Sequence, residues 1–265
     1  MAKGLFDCTG KVALVTGGNS GLGLGFARGI AKQGGAVEIW GRNAERNASS
    51  VAELQGLGVR ASARAVDVGS EDAILKGYKE LLAEYGRLDC VIANAGLPPP
   101  YTDDTLTVST KQFRDFMEVS FFGAYFTIVE GARHMVERAK AGEPGGSLIF
   151  CGSLSMFAGL PGKGAYAGSK AGMGSIMRSL AVEMGKYGIR SNSVAPGYIK
   201  TGMMEGASEE MQKQVDAYFS GKTPIGRPGY PEDFEAIAAY LCSDSSSFHS
   251  GDTIIIDGAS IINVI

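Results

Sequence analysis

The sequence predicts an α/β fold in which a doubly wound parallel sheet carries helices on both faces. Three observations predict it. Short, continuously apolar runs recur from end to end of the 265 residues and alternate with segments of helical period. The apolar runs lack the in–out alternation of a half-solvated sheet, so both of their faces are buried, as in parallel sheets. No internal repeat and no long Pro/Gly/Ser-rich linker interrupts the alternation, which makes residues 1–265 a single domain.

The elements follow in order. Residues 11–16 (KVALVT) read as a buried strand, and 22–33 as the helix after it. A strand at 36–41, a helix at 45–57, a strand at 60–68, a helix at 73–85 and a strand at 88–93 complete the first half. Helices at 113–138, 167–187 and 231–241 separate later strands at 147–151, 190–195 and 253–257. Strand–crossover–strand connections of this kind are right-handed, which winds the helices onto both faces. Ser109 and Gln112 have the spacing of a capping box, and Pro231 suits the first turn of its helix. The long stretch 196–223 carries helix-compatible pieces, and a segment of that length after a strand is expected to form a substrate-binding lid.

Composition narrows the function. A formal net charge of -3 gives no basic field for nucleic acid, and Ser208-Glu209-Glu210 is a solvated helix start. No apolar run is long enough to span a bilayer, and Asp7 arrives before any signal core could form, so a soluble, cytoplasmic chain is expected. Cys8, Cys90, Cys151 and Cys242 are far apart without CxxC spacing, as for buried thiols in a reducing compartment. His134 and His249 have no partner at ligand spacing, which removes a zinc dehydrogenase or His-based hydrolase and leaves no metal site.

The turn after the first strand reads Thr16-Gly17-Gly18-Asn19-Ser20-Gly21-Leu22-Gly23 and opens a helix. Such a turn offers unpaired N–H groups and the positive end of a helix dipole to a dinucleotide pyrophosphate. Gly17, Asn19, Ser20, Gly21, Leu22 and Gly23 are therefore candidate cofactor contacts, in a GxxxGxG spacing. Together with the strand–helix alternation this makes the sheet Rossmann-like.

Tyr166 and Lys170 lie four residues apart, on one face of a helix. A free phenol has a pKa of about 10, and a neighbouring ammonium favours the phenolate, so the pair suits proton transfer at an alcohol or carbonyl. Ser153 follows the strand 147–151 by two residues, at a strand end where open α/β sheets bind ligands. Its hydroxyl is placed to orient a substrate oxygen toward Tyr166; Ser155 is the competing candidate.

Taken in order, these motifs resemble the short-chain dehydrogenase/reductase family, in its compact single-domain branch. The match runs from Gly10 to Gly258 and adds Asp67, Ala93-Asn94-Ala95-Gly96, Asn192-Ser-Val-Ala-Pro196-Gly197 with Thr201, and Asp257-Gly258. The resemblance implies a nicotinamide dinucleotide cofactor and, by family, a homotetramer. It implies that Asp67 and Val68 contact the adenine, and that Asn94, Ala95 and Gly96 support the sheet and the adenine ribose. Tyr166 and Lys170 would also hold the nicotinamide ribose, and Pro196, Gly197, Ile199 and Thr201 would flank the nicotinamide. Two positions depart from the family pattern. Ala93 stands where the family has Asn in NNAG, and Ser120, in Val119-Ser120-Phe121-Phe122-Gly123, stands where it has the Asn of VNxxG. Ser120 is carried over as the fourth catalytic position, with its proton relay altered rather than lost.

Gly41 occupies the end of the second strand, where a carboxylate would select NAD(H), and Arg42 follows it. A guanidinium there suits a 2′-phosphate, so NADP(H) is favoured over NAD(H), although Ser20 stands where many NADP-preferring relatives are basic. Residues 97–101, 154–160 and 198–204 should face the substrate. Pro98, Met156, Phe157, Tyr198, Met203 and Met204 among them imply a fairly apolar small molecule. Two alternatives remain: an NAD-preferring alcohol dehydrogenase, and a dinucleotide sensor without turnover.

Overall fold

A computed structural model describes residues 4–98, 104–201 and 208–263. Seven strands, β1 (Val12–Thr16), β2 (Ala36–Trp40), β3 (Ala61–Arg64), β4 (Cys90–Ala93), β5 (Gly146–Cys151), β6 (Ile189–Pro196) and β7 (Thr253–Ile256), form one sheet in the order β3-β2-β1-β4-β5-β6-β7. Every neighbouring pair is parallel. The chain order reverses between β1 and β4, which opens a crevice at the C-terminal ends of those strands.

Alternate residues of each strand feed two separate cores, which is why the strands read as unbroken apolar runs. Val15, Ile39, Ile92 and Ile149 pack with Phe26, Ile30, Phe234 and Leu241 on one face. Leu14, Val91, Leu148 and Phe150 pack with Tyr78, Ile128, Met173 and Met177 on the other. The helices are α1 (Gly21–Lys32), α2 (Ala44–Gly56), α3 (Glu71–Tyr85), α4 (Thr110–Met117), α5 (Gly123–Lys140), α6 (Gly164–Met184), α7 (Glu209–Lys222) and α8 (Glu235–Cys242), of which α4 and α7 add nothing to either core. Two carboxylates, Glu38 and Asp89, are buried in this frame. Glu38, in β2, is fully buried and bonded by Arg64, Ser62 and the Trp40 indole; burial pushes its carboxyl up while the Ser62 and Arg64 bonds pull it down.

Several boundaries differ from the sequence expectation. β3 stops at Arg64 instead of 68, because β3 is the sheet edge and its only partner, β2, ends opposite it at Trp40. The helix expected at 113–138 is two, α4 and α5, joined by a π-helical turn at Glu118–Phe122. α6 begins at Gly164, so Tyr166 is already helical. Pro231 opens a 3-10 turn, Pro231–Phe234, that leads into α8. In 196–223 the described part contains α7, capped by Ser208 accepting from the Met211 N–H at 3.2 Å. Ser109 and Gln112 form the reciprocal capping box. All four cysteines are free and buried. Among the described residues no helix is long and apolar enough to cross a membrane.

Candidate active site

The crevice is built by locking the turn after β1 to the turn after β4. Thr16 Oγ1 accepts the N–H groups of Asn94 (3.1 Å) and Ala95 (3.0 Å). Asn94 Nδ2 returns bonds to the Thr16 carbonyl (3.0 Å) and the Gly17 carbonyl (3.4 Å). α1 then starts against this turn: a Cβ on Gly23 would overlap the Gly17 carbonyl, so only glycine permits the approach. Ser20 caps α1 without a side-chain bond to the helix, leaving the first N–H groups to the crevice.

A cavity of about 240 Å3 opens over this turn. Gly17, Asn19 and Ser20 line it from the glycine turn, Gly41 and Arg42 from the end of β2, Asp67 and Val68 from beyond β3, and Ala95 and Gly96 from beyond β4. Asp67 is exposed, its Oδ1 accepting the Gly69 N–H at 3.0 Å. Asn19 donates to Asn47 Oδ1 (2.7 Å), and Asn47 donates to the Gly41 carbonyl (2.8 Å). A Cβ at Gly41 would overlap that Asn19 carboxamide, so a larger residue there would have to displace the Asn19–Asn47 pair. Leu22 and Gly23 lie on α1 beneath the cavity. Pro196 ends β6, the Gly197 N–H bonds to the Ile256 carbonyl (3.0 Å), Ile199 bridges to Gly229, and Thr201 rests its side chain on Gly21. The post-β6 segment thus returns to the glycine turn.

Ser153, Tyr166 and Lys170 meet beyond the end of β5. The Tyr166 and Ser153 hydroxyls are hydrogen-bonded to each other. Ser153 Oγ also accepts the Ser155 N–H (3.1 Å), capping the 3-10 turn Leu154–Met156. Ser155 is buried and its hydroxyl has no partner among the described residues, so the geometry separates the two serines in favour of Ser153. Lys170 is 7% exposed; its Nζ donates to the Cys151 carbonyl (2.7 Å) and sits 4.9 Å from the centroid of the Phe150 ring.

The electrostatics differ from the sequence expectation in one respect. Burial pushes the Tyr166 phenol above its ordinary value, opposed by the Ser153 bond, and burial pulls the Lys170 ammonium down. The expected lowering of the phenol by Lys170 is absent because Nζ is directed at the Cys151 carbonyl, 5.8 Å from the Tyr166 ring centroid. Ser120 sits buried in the π-helical turn, and its Oγ accepts the Leu97 N–H at 3.1 Å. It tethers the loop after β4 instead of touching Lys170.

Some side chains escaped sequence reasoning. Phe116 packs edge-on to Tyr166 at 6.3 Å, and Asn47 fixes Asn19. Nothing local separates Phe116 from Phe113 and Met117 on the same helix, and nothing local signals Asn47. Of the expected substrate-facing residues, Met156 fills space against Gly152 and Gly174, and Tyr198 is engaged by α7 through Asp216 (2.9 Å) and stacking on Phe219 (4.2 Å). Pro98, Phe157 and Leu160 are exposed. Tyr101, Met203 and Met204 lie outside the described residues. Among the described residues no cluster of His, Cys, Asp and Glu could hold a metal.

The family model described as enoyl-(acyl carrier protein) reductase matches residues 17–259. The chain belongs to the short-chain dehydrogenase/reductase family. It is 33% identical to the L-rhamnose 1-dehydrogenase (NAD(P)(+)) of a Sphingomonas species, covering 96% of this chain and 98% of that one. It is 32% identical to the 3-oxoacyl-(acyl-carrier-protein) reductase FabG of Chlamydia muridarum, over 94% and 96% of the two chains. Its fold superposes with a TM-score of 0.86 on a gluconate 5-dehydrogenase from Burkholderia cenocepacia solved with NADP and tartrate, at 27% identity and 96% coverage of both chains. The protein is an oxidoreductase of CH–OH and C=O groups with a nicotinamide dinucleotide cofactor, and the residues around the glycine turn, with Arg42 and Asp67, could hold part of it.

Proposed function

We propose that this chain is an NADP(H)-preferring carbonyl reductase or secondary-alcohol dehydrogenase for a fairly apolar small molecule, with Tyr166 as its acid–base group. The observation that carries the reading is the Ser153–Tyr166 hydrogen bond beside the buried Lys170, at the strand end adjoining the dinucleotide cavity. When bound, the nicotinamide supplies or accepts the hydride. Tyr166 Oη donates the proton to the nascent alkoxide in reduction, or removes it from the alcohol in oxidation. Ser153 holds the substrate oxygen within reach of that hydroxyl. Phe116, packed edge-on to the phenol, and Phe150, beneath Lys170, limit water around the pair.

The absence of a carboxylate at Gly41, with exposed Arg42 beside it on the same cavity, supports NADP(H). Exposed Phe157 and Leu160, between Ser153 and Tyr166 in sequence, support an apolar substrate. The segment 196–223 is taken as the lid, since Thr201 touches the glycine turn and Tyr198 anchors α7. The groove of about 540 Å3 between α5 and α6, lined by Tyr125, Val136, Leu180 and Met184, suits the homotetramer that family membership implies; light scattering tests it. The function is tested by following nicotinamide absorbance with NADH and NADPH over a panel of ketones, 3-oxoacyl thioesters, sugars and secondary alcohols. Turnover with apolar ketones and NADPH is expected. Tight dinucleotide binding without any turnover would mark a sensor instead.

A further inference from the structure

At the edge of the sheet opposite Tyr166, the N-terminal ends of β1, β4, β5 and β6 surround a second cavity, of about 430 Å3. Four cationic side chains line it, Lys11, Arg87, Arg138 and Arg190, against two carboxylates, Asp89 and Asp244. Lys11 is paired with Asp244 at 2.7 Å. Asp89 is shared: Arg87 grips it through Nε (2.9 Å) and Nη2 (2.8 Å), Arg138 reaches it at 2.9 Å, and it also accepts the Val12 N–H at 2.9 Å. The nearest further carboxylate, Glu143, stands 3.8 Å from Arg87, is largely exposed, and does not line the cavity.

Arg190 has no direct ion pair; Asp244, already paired with Lys11, acts on it only from beyond ion-pair distance. Arg190 is 8% exposed, and among the described residues no carboxylate comes within ion-pair distance of it. Its guanidinium donates only to the Ser243 carbonyl (3.2 Å) and the Ser246 hydroxyl, and burial pulls its pKa down. A desolvated cation held by neutral acceptors is expensive, and an arriving anion repays that cost. Arg138 adds a second unmet demand: its Nε is buried and has no acceptor among the described residues. One guanidinium with an unpartnered donor and one without a direct ion pair on the same cavity, with an excess of two positive charges in its lining, match a doubly charged oxyanion, because the Arg fork fits the oxygen spacing of phosphate.

We propose that this cavity is an anion site, separate from the dinucleotide site, that binds a phosphate group as inorganic phosphate or as a small phosphate ester. The bound anion would contact the feet of β5 and β6, through Gly146 and Arg190, and so stabilise the two strands whose other ends carry Cys151 and Pro196. The proposal is independent of which substrate Tyr166 serves.

Calorimetric titration with inorganic phosphate and with glycerol 3-phosphate tests it, using the full chain saturated with NADPH so that the glycine turn is filled, and chloride at matched ionic strength as the control. One equivalent of phosphate is expected to bind and to raise the melting temperature beyond the chloride control. Arg190→Met should weaken it at least about tenfold, the loss of one charge-assisted contact. Should Arg190→Met fail to fold, Arg138→Gln and Lys11→Met carry the same comparison. Tighter binding of the ester than of free phosphate assigns the site to an ester; equal binding assigns it to phosphate itself. Absence of binding to the wild type, or binding unchanged in the folded variants, overturns the proposal.

Discussion

Replacing Asn94 by Ala tests the lock between the two turns that form the dinucleotide cavity. The substitution removes the Nδ2 bonds to the Thr16 carbonyl at 3.0 Å and the Gly17 carbonyl at 3.4 Å. It leaves the two backbone N–H bonds to Thr16 Oγ1 in place, so the variant should still fold. Asn94 is half-buried, so water reaches part of what it leaves behind. The short bond is worth about 1 kcal/mol, the long one less, and the partly orphaned carbonyls bring the total to roughly 1–2 kcal/mol. For a chain of this size that corresponds to a fall in melting temperature of about 2–8 °C. Gly17 both accepts from Asn94 and lines the cavity, so its carbonyl and the following N–H groups lose their fixed direction. Dinucleotide affinity should fall about tenfold, equivalent to about 1.4 kcal/mol of preorganisation. Nicotinamide fluorescence gives the dissociation constant and differential scanning calorimetry the melting temperature, both on the same preparation. A melting point that falls as stated while the dinucleotide binds as in wild type would refute the claim that this lock shapes the cofactor site.

Three further outcomes follow from the same geometry. Arg42→Ala should raise the KM for NADPH at least about tenfold, the loss of one charge-assisted bond, and leave NADH little changed; unchanged NADPH kinetics would remove the basis for the cofactor preference. Ser120→Ala should cost about 1 kcal/mol by orphaning the Leu97 N–H, and a rate and pH profile both equal to wild type would exclude Ser120 from any proton relay. Burial holds Tyr166 above its ordinary pKa of about 10, so its stabilising contribution is complete below that value and is lost as pH rises through the higher folded-state value. Alkaline melting curves should therefore fall less steeply for Tyr166→Phe than for wild type above pH of about 10, and parallel curves would contradict the assignment.

The sheet was legible because burial on both faces leaves a plain sequence signature: Leu14 and Val15 feed opposite cores, so the strand shows no alternation. The glycine turn was legible for a similar reason, since Gly23 has to pass within contact of Gly17 and no other residue can. Boundaries failed where the cause is not local. β3 ends early because its partner does, and the π-helical turn at Glu118–Phe122 interrupts a run whose period shows no break. That Ser153, Tyr166 and Lys170 come together was readable from their spacing. Their electrostatics were not. The direction of the Tyr166 shift depends on burial and on Lys170 bonding the Cys151 carbonyl, an acceptor that any residue type at 151 would supply. Asn47 and Arg190 carry no motif at all; only folding brings Asn47 to Asn19 and leaves Arg190 buried without a direct ion pair.

The turnover of Tyr166→Phe measures most directly whether Tyr166 is the proton donor. Phenylalanine keeps the ring that packs on Phe116 and removes only the hydroxyl. With NADPH and the best ketone of the panel, kcat should fall by about two to four orders of magnitude. Dinucleotide affinity should weaken by no more than roughly fivefold, the worth of one lost hydrogen bond. A variant that reduces ketones within tenfold of the wild-type rate would show that the proton comes from another group.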